Sequence, residues 1–157
     1  MAAKTPPAGI KIIGQNRKAR HEYEILQTWE AGIVLLGTEV KALRDGRINL
    51  GDSYAELKKG EVWLVKMHIG PYDMGNRENH DPFRRRKLLL NRREIRKMVP
   101  KLEDVGKTLI PLKVYFKQGR VKVEIALARG KKLYDKRHDT AKRDADRQMA
   151  KIMGRRG

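Results

Sequence analysis

The chain has 157 residues, of which 36% are charged and 39% hydrophobic, and it carries a formal net charge of +18 with no cysteine. Such an excess of positive charge predicts a polyanionic partner, and nucleic acid is the commonest one. The lack of cysteine excludes disulfides, zinc-ribbon ligands and thiol catalysis, and is compatible with a reducing cytoplasm. No apolar run approaches the roughly 18 residues of a transmembrane span and no signal-peptide hydrophobic region is visible, so we expect a cytoplasmic protein with no membrane partner.

Charge and apolar residues divide the chain into three parts. Residues 1–9 are small and contain proline, which favours a flexible N-terminus. Residues 10–130 have the length of one small domain. Residues 131–157 hold ten Lys or Arg against four Asp and have too few apolar residues for a core. They predict a basic C-terminal tail that is disordered when free and helical when bound to an anionic partner, the alternative being an inert solubilising tail.

The first half of the domain is predicted to form two hairpins with a helix between them. Residues 23–36 favour strand, with a hairpin turn at residues 30–32. Thr38 begins the helix as its N-cap, and Gly46 can take the positive φ beyond its end. A second hairpin turns at residues 59–60 and pairs apolar with apolar and charged with charged side chains: Ala55–Leu64, Leu57–Val62 and Lys58–Glu61.

The second half is predicted to contain a long loop, a helix and a third hairpin. Residues 70–87 form the loop, and a loop of this length is usually functional or mobile. Asn91 can cap a helix whose third residue is Glu94, and Pro100 should end or kink that helix. The last hairpin turns at residues 118–119 and pairs Phe116–Val121, Val114–Val123, Lys113–Glu124, Leu112–Ile125 and Ile110–Leu127.

About six strands in antiparallel hairpins, with short helices before the second and third hairpins, indicate a mainly β (α+β) fold. The OB-fold is the commonest small barrel of this kind that binds nucleic acid. We therefore predict an OB-fold-like closed antiparallel barrel followed by the basic tail.

Residues 16–23 form a basic cluster that is a candidate RNA-binding segment. Lys18 and Arg20 suit phosphates, and His21 or Tyr23 can stack on a base. The structural alternative is a solvated strand end with Tyr23 in the core.

Three further features of the domain have both a functional and a structural interpretation. Glu30, in the predicted turn, is either an ordinary exposed carboxylate or an acceptor for base amino groups or ribose hydroxyls. The basic run at residues 84–87 is either solvated or in contact with phosphates. His80 and Asp81 are the nearest approach to an acid–base pair. The sequence contains no hydrolase, phosphate-binding or metal-ligand motif, so we expect no catalytic residue, metal or cofactor, and no enzyme.

Several short motifs occur in order along the chain. They are NRKARHEY at 16–23, EAG at 30–32, GTEVKALR at 37–44, DSY at 52–54, RKLLLN at 86–91, GKK at 130–132 and DKR at 135–137. Together they resemble the small protein B family, the SsrA-binding proteins of bacterial trans-translation. The resemblance implies an OB-like barrel that binds the tRNA-like domain of transfer-messenger RNA (tmRNA). It also implies a tail that folds as a helix in the decoding centre and vacant mRNA channel of a stalled ribosome.

The resemblance also implies roles for individual residues. By matching position, RNA binding is expected of Asn16, Lys18, Arg20, His21, Glu30, Leu89, Asn91 and Lys122. Ribosome binding is expected of the tail residues Lys131, Lys132, Tyr134, Asp135, Lys136, Arg137, Ile152 and Met153. Tyr134 and Glu124 depart from the residues expected in many or some relatives, His and Lys respectively. The implied partners are alanine-charged tmRNA, small-subunit ribosomal RNA and the elongation factor that delivers tRNA.

The residues alone leave a second function open. A general ribosomal or single-strand RNA-binding protein would have the same basic surface, with strong salt dependence and little selectivity. A third possibility, an RNA-processing enzyme, would depend on His80 and Asp81.

Overall fold

The computed structural model of the protein describes residues 9–72 and 79–130. Within these ranges, nine strands and three helices follow in chain order: β1 (Ile10–Gln15), α1 (Ala19–Glu22), β2 (Tyr23–Ile33), α2 (Gly37–Arg44), β3 (Ile48–Asn49), β4 (Tyr54–Lys58), β5 (Glu61–Val65), β6 (His68–Ile69), β7 (Arg86–Leu89), α3 (Arg92–Leu102), β8 (Lys107–Lys117) and β9 (Arg120–Gly130). The predicted tail, the predicted flexible N-terminus up to residue 8 and residues 73–78 of the predicted loop lie outside the described residues. No helix in the described ranges is long and apolar enough to cross a membrane.

Six strands form a closed antiparallel barrel in the order β8-β4-β5-β7-β2-β9, and β9 pairs again with β8 to complete the ring. β1 pairs with the C-terminal half of β8, while β3 and β6 form a separate two-stranded sheet. Closing a sheet on itself removes its edges, which would otherwise be open to pairing with other chains. The predicted mainly β, OB-fold-like barrel is therefore confirmed.

The two tight hairpins have the predicted turns. In the β4–β5 hairpin, Ala55 pairs with Leu64 and Lys58 with Glu61, as predicted. Its turn residues, Lys59 and Gly60, both have positive φ, as do Gln118 and Gly119 in the β8–β9 turn. Two successive positive φ angles give the turn twist that matches the twist of the paired strands.

A β-bulge divides the last hairpin, so two of its five predicted pairs are wrong. The pairs Phe116–Val121, Val114–Val123 and Lys113–Glu124 are present, but the register shifts between Pro111 and Lys113. Beyond the bulge Ile125 pairs with Pro111 and Leu127 with Leu109, in place of the predicted Leu112 and Ile110. Pro111 lacks the N–H that a regular ladder requires, and bulges are where proline is tolerated in a sheet.

Because of the bulge, Leu112 and Val114 face opposite sides of the sheet although they are two residues apart. Val114 and Leu109 lie in the main core inside the barrel. Ile110 and Leu112 lie in a second apolar cluster, on the outer face of β8 and β9, together with Ala19 of α1, Ala126 and Ala128. The second cluster is what holds α1 against the barrel.

Three local predictions differ from the structure. β2 runs unbroken from Tyr23 to Ile33, so Glu30 lies in a strand and the predicted turn at residues 30–32 is wrong. The helix α2 begins one residue before Thr38, and the backbone N–H of Leu36 donates to the Glu39 carboxylate (2.8 Å). The helix α3 continues through Pro100 to Leu102, so Pro100 does not end it.

Within the basic run at residues 84–87, Arg86 is neither solvated nor available to a phosphate. Arg86 is fully buried and donates to the Glu39 carboxylate and to the carbonyl of Met67 (2.7 Å). Arg84 also donates to Glu39 (2.6 Å). Arg85 and Lys87 pair at the surface with glutamates of β4 and β5. The run ties β7 to α2 and its neighbouring strands.

Candidate nucleic-acid interface

A row of side chains crosses the outer face of five adjacent strands. Cα pairing places Leu89 opposite Gly32, Gly32 opposite Lys122, Lys122 opposite Tyr115 and Tyr115 opposite Ile12. The neighbours of these residues along each strand, among them Ala31, Val123 and Val114, point into the core. Because side chains alternate along a strand, the row faces outward.

Leu89 projects from this row because its neighbour has no side chain. Its side chain is 51% exposed, whereas Leu88 is buried. A Cβ on Gly32 would stand 3.2 Å from the Cβ of Leu89. Gly32 is thus a site of close approach between two strands. The exposed position of Leu89 agrees with its predicted availability to a partner.

Glu30 lies beside the row and is held by two side chains of β8. The Tyr115 hydroxyl donates to Oε2 of Glu30 (2.5 Å), and Nζ of Lys117 lies 3.3 Å from both carboxylate oxygens. The hydrogen bond from Tyr115 holds the pKa of Glu30 below its usual value despite partial burial, and Lys117 and Lys122 act in the same direction. Burial, together with the bond to Glu30, raises the pKa of the Tyr115 hydroxyl. Glu30 is therefore a fixed, ionised acceptor. We call Glu30, Tyr115, Lys117 and Lys122 the carboxylate patch.

Sequence reasoning identified Glu30 and Lys122 but missed Tyr115 and Lys117. Both missed residues occupy the polar positions of the predicted last hairpin. That alternation shows that they share a face, but their contact with Glu30 depends on the pairing of β2 with β9, more than 90 residues apart in sequence. A pattern within one hairpin carries no information on that pairing.

The predicted basic cluster forms α1 and the loop before it. Ala19 is buried in the second apolar cluster, so the short helix turns Lys18, Arg20 and His21 to the exposed side. Tyr23 is half-buried against the same cluster, which supports the packing interpretation for its ring.

The α1 cluster and the carboxylate patch lie on one continuous surface. Asn16 donates through its side chain to the carbonyl of Pro111 (3.3 Å), which anchors the loop to β8. Next to it is a cleft of about 410 Å³ lined by Gln15, Asn16, Arg17, Arg20, Leu112, Lys113 and Glu124. Glu124 is also the strand partner of Glu30. We call this whole surface, from Leu89 to α1, the binding face.

Asn91 marks the end of the binding face beyond Leu89. It is exposed and precedes α3, and its backbone N–H donates to the Glu94 side chain (3.2 Å), which is half of the predicted capping box. The tail residues Lys131, Lys132, Tyr134, Asp135, Lys136, Arg137, Ile152 and Met153 lie outside the described residues.

His80 is a packed structural residue in this fold. Its ring nitrogens lie 2.9 Å from the hydroxyl of Thr38 and 2.9 Å from the carbonyl of Ile69, and the residue is buried. The side chain of Asp81 accepts from the backbone N–H of Phe83 (2.9 Å). The ring of His80 thus holds the loop against α2 and β6, and Asp81 stabilises the turn within the loop.

The sequence and the fold are similar to those of proteins from one family. A model of the SmpB protein family matches residues 13–155. The SsrA-binding protein of Parafrankia sp. (strain EAN1pec) is 59% identical over 147 residues, which cover 94% of this chain and 93% of that protein. The SsrA-binding protein of Mycobacterium leprae (strain Br4923) is 54% identical over 154 residues, which cover 98% and 96%. A solved chain described as "tmRNA-SmpB: a journey to the center of the bacterial ribosome" matches with a TM-score of 0.65 and 50% identity over 80% of this chain and 87% of that one.

Proposed function

The chain belongs to the SmpB protein family, and from this we propose that it binds tmRNA and acts with it in trans-translation, the rescue of stalled ribosomes. In this proposal the barrel binds the tRNA-like domain of tmRNA through the binding face. The relatives are SsrA-binding proteins, and the solved neighbour concerns tmRNA and SmpB on the bacterial ribosome, which supports the proposal. Action on the ribosome would take place in the cytoplasm.

The observation that carries the proposal is the ionised carboxylate of Glu30 on a face of a chain with net charge +18. A carboxylate repels phosphate, so its direct contribution to RNA binding comes from accepting from a base amino group or a ribose hydroxyl. Two carboxylate oxygens accept about four hydrogen bonds. Tyr115 and Lys117 use part of this capacity, and the Glu30 side chain is 40% exposed. A protein that bound any polyanion would gain nothing from this group. Glu30 therefore favours selective recognition over general RNA binding.

Positive and apolar groups complete the face. Lys18 just before α1, Arg20 on α1 and Lys122 on β9 can contact phosphates on either side of Glu30. Leu89 offers exposed apolar surface to the face of a base or ribose, next to Asn91. We propose that these residues position the RNA and that Glu30 selects it.

We propose that the tail acts separately from the barrel, on the ribosome. Its ten positive charges suit ribosomal RNA at the decoding centre and in the vacant mRNA channel. Folding of the tail there would require the space that mRNA otherwise fills, so it would detect a vacant channel by competition. Asp135, Lys136 and Arg137, with Ile152 and Met153 further on, are the proposed contacts. Delivery would involve alanine-charged tmRNA and the elongation factor that carries tRNA. No bond is made or broken by the protein in this scheme.

Binding of the purified protein to the isolated tRNA-like domain, with excess bulk tRNA present, tests the role of the barrel. We expect selective binding that Glu30→Gln weakens by about tenfold, which corresponds to loss of one charged hydrogen bond of about 1.4 kcal/mol. Glu56→Gln is the matched control, because it removes the same charge from β4, three strands away from β2 around the ring. Equal competition by bulk tRNA and equal affinity of both variants would instead support a general RNA-binding protein.

A truncation tests the separation of the two parts. A chain that ends at Gly130 should bind the tRNA-like domain within a few fold of the full chain, while peptide tagging in a reconstituted translation system should be lost. A large loss of affinity on truncation would contradict the division of labour.

A further inference from the structure

A second cleft with aromatic and basic lining lies away from the carboxylate patch. It is lined by Asn49, Gly51, Asp52, Lys66, His68 and Phe83 and has a volume of about 550 Å³. Lys66 directly follows β5, and β5 is three strands from β9 in either direction around the six-stranded ring. The cleft therefore lies away from Lys122, although Gly51 and Asp52 also line a cleft next to Lys18 and Tyr23.

The ring of Phe83 is exposed although its backbone is firmly held. The residue is 58% exposed. Its N–H donates to the side chain of Asp81 (2.9 Å), and the carbonyl of the preceding Pro82 accepts from the N–H of Ile69 (3.0 Å). His68 meets the ring edge-to-face, with centroids 5.0 Å apart and planes at 62°. Because an edge-to-face pair leaves faces of both rings uncovered by the partner, a planar group can stack there.

Lys66 is placed beside these rings by an unfavourable backbone conformation. Its φ is +63°, in the left-handed region that disfavours side chains larger than glycine. Residues held in this way tend to lie at functional sites. Lys66 lines the cleft, and its Nζ lies 5.8 Å from the ring centroid of the neighbouring Tyr54.

The polar lining suits the edge of a base. The side-chain oxygen of Asn49 accepts from the N–H of Gly51 (2.8 Å), which turns its amino group toward donation elsewhere. Asp52 is exposed and supplies an acceptor. An aromatic platform, a cation and a donor–acceptor pair are the elements by which proteins hold unpaired nucleotides.

We propose that this cleft binds one unpaired nucleotide of single-stranded RNA, with its base stacked on Phe83 beside His68 and its phosphate on Lys66. This inference rests on the proposed function for one point only, that the bound polymer is RNA. The nucleotide can come from a single-stranded part of tmRNA whose tRNA-like domain occupies the binding face, or from ribosomal RNA.

Fluorine NMR gives a direct test, because the chain has two phenylalanines. Full-length protein labelled with 4-fluorophenylalanine is titrated with the trinucleotide of adenosine at near-physiological salt, and with inorganic phosphate as a control. The Phe83 signal should shift saturably with the trinucleotide, whereas Phe116, which packs against the core, should not. Equal shifts of both signals, or none, would overturn the proposal.

Substitutions separate binding from folding. Lys66→Gly suits the positive φ, so it should keep or raise the melting temperature while weakening trinucleotide binding at least about fivefold, and Phe83→Leu should weaken it similarly. Phe83→Tyr keeps the ring and should restore affinity. Wild-type affinity in both Lys66→Gly and Phe83→Leu would overturn the proposal. Each variant should still bind the isolated tRNA-like domain normally, so this outcome is independent of the Glu30→Gln result.

Two further binding measurements identify the source of the nucleotide. Weaker binding of Phe83→Leu to full-length tmRNA, with normal binding to the tRNA-like domain, would assign it to tmRNA. Normal binding to both, with weaker binding to vacant ribosomes, would assign it to ribosomal RNA. Wild-type binding of this variant to all of these RNAs would contradict a functional site.

Discussion

Replacing Glu39 by Gln should cost the protein a large part of its stability. Glu39 and Arg86 are both fully buried, and the Glu39 carboxylate accepts from Arg84, Arg86 and the N–H of Leu36. The variant keeps the size of the side chain but leaves the Arg86 charge buried without a counter-charge. Breaking a buried pair in this way costs about 3–5 kcal/mol. Against a total free energy of unfolding of about 5–15 kcal/mol, the loss should lower the melting temperature by about 10 °C.

Urea unfolding followed by tryptophan fluorescence measures this loss, and the chain offers a matched control. Glu56 pairs with Arg85 at 2.7 Å, but these side chains are 31% and 53% exposed. Surface pairs of this kind contribute about 0–1 kcal/mol, so Glu56→Gln should change the free energy of unfolding by less than that amount. If Glu39→Gln were as mild as Glu56→Gln, the buried pair would not be what holds β7 against α2.

The same pair gives a pH dependence with a definite sign. Burial acts to raise the pKa of Glu39, but hydrogen bonds from Arg84, Leu36 and Arg86 outweigh it and hold the pKa below the usual value. A carboxyl group whose pKa is lower in the folded state contributes stability above its unfolded pKa and loses it as the pH falls through the folded one. The gap between wild type and Glu39→Gln should therefore be widest near pH 7 and should narrow on acidification below about pH 4.

Three smaller predictions concern the binding face and the loop behind it. Gly32→Ala should displace Leu89, whose Cβ would be 3.2 Å from the new methyl group, and filter binding should show weaker binding to the tRNA-like domain. Tyr115→Phe should raise the pKa of Glu30 toward its usual value, as read from carboxyl ¹³C shifts, because the hydroxyl hydrogen bond that lowers it is lost. His80→Ala should cost about 1–3 kcal/mol in unfolding free energy but leave RNA affinity unchanged, whereas lost RNA affinity in the folded variant would contradict a purely structural His80.

Local signals in the sequence were sufficient for the turns of both tight hairpins and for the register of the β4–β5 hairpin. The turn at Lys59 and Gly60 is fixed by positive φ and by the pairing of apolar and charged residues on either side. Its register required no knowledge of the rest of the fold. The hydrogen bond from Asn91 to Glu94 at the start of α3 was predictable for the same reason, since these two residues are only three positions apart.

Features that depend on distant residues were missed or misread. Gly32 suggested a turn, but it lies within β2. A glycine is needed there because Leu89, from a strand more than 50 residues away in sequence, comes too close for a side chain at position 32. Arg86 looked like one member of a charged run, and its burial follows from Glu39 on α2. The bulge at Leu112 had one local signal, the adjacent proline, which the regular alternation on both sides concealed.

The net charge and the carboxylate patch make different contributions to RNA binding, and salt separates them. The charge of +18 attracts any nucleic acid. That attraction falls steeply as the salt concentration rises, because the free energy gained by releasing counterions from the RNA becomes smaller. The hydrogen bond from RNA to Glu30 displaces no counterion from phosphate. The affinity of wild type should therefore fall as salt rises, while the ratio of wild-type to Glu30→Gln affinity stays nearly constant. A ratio that collapsed toward one at high salt would mean that Glu30 acts through the general electrostatic field rather than by direct selection of a base or ribose donor.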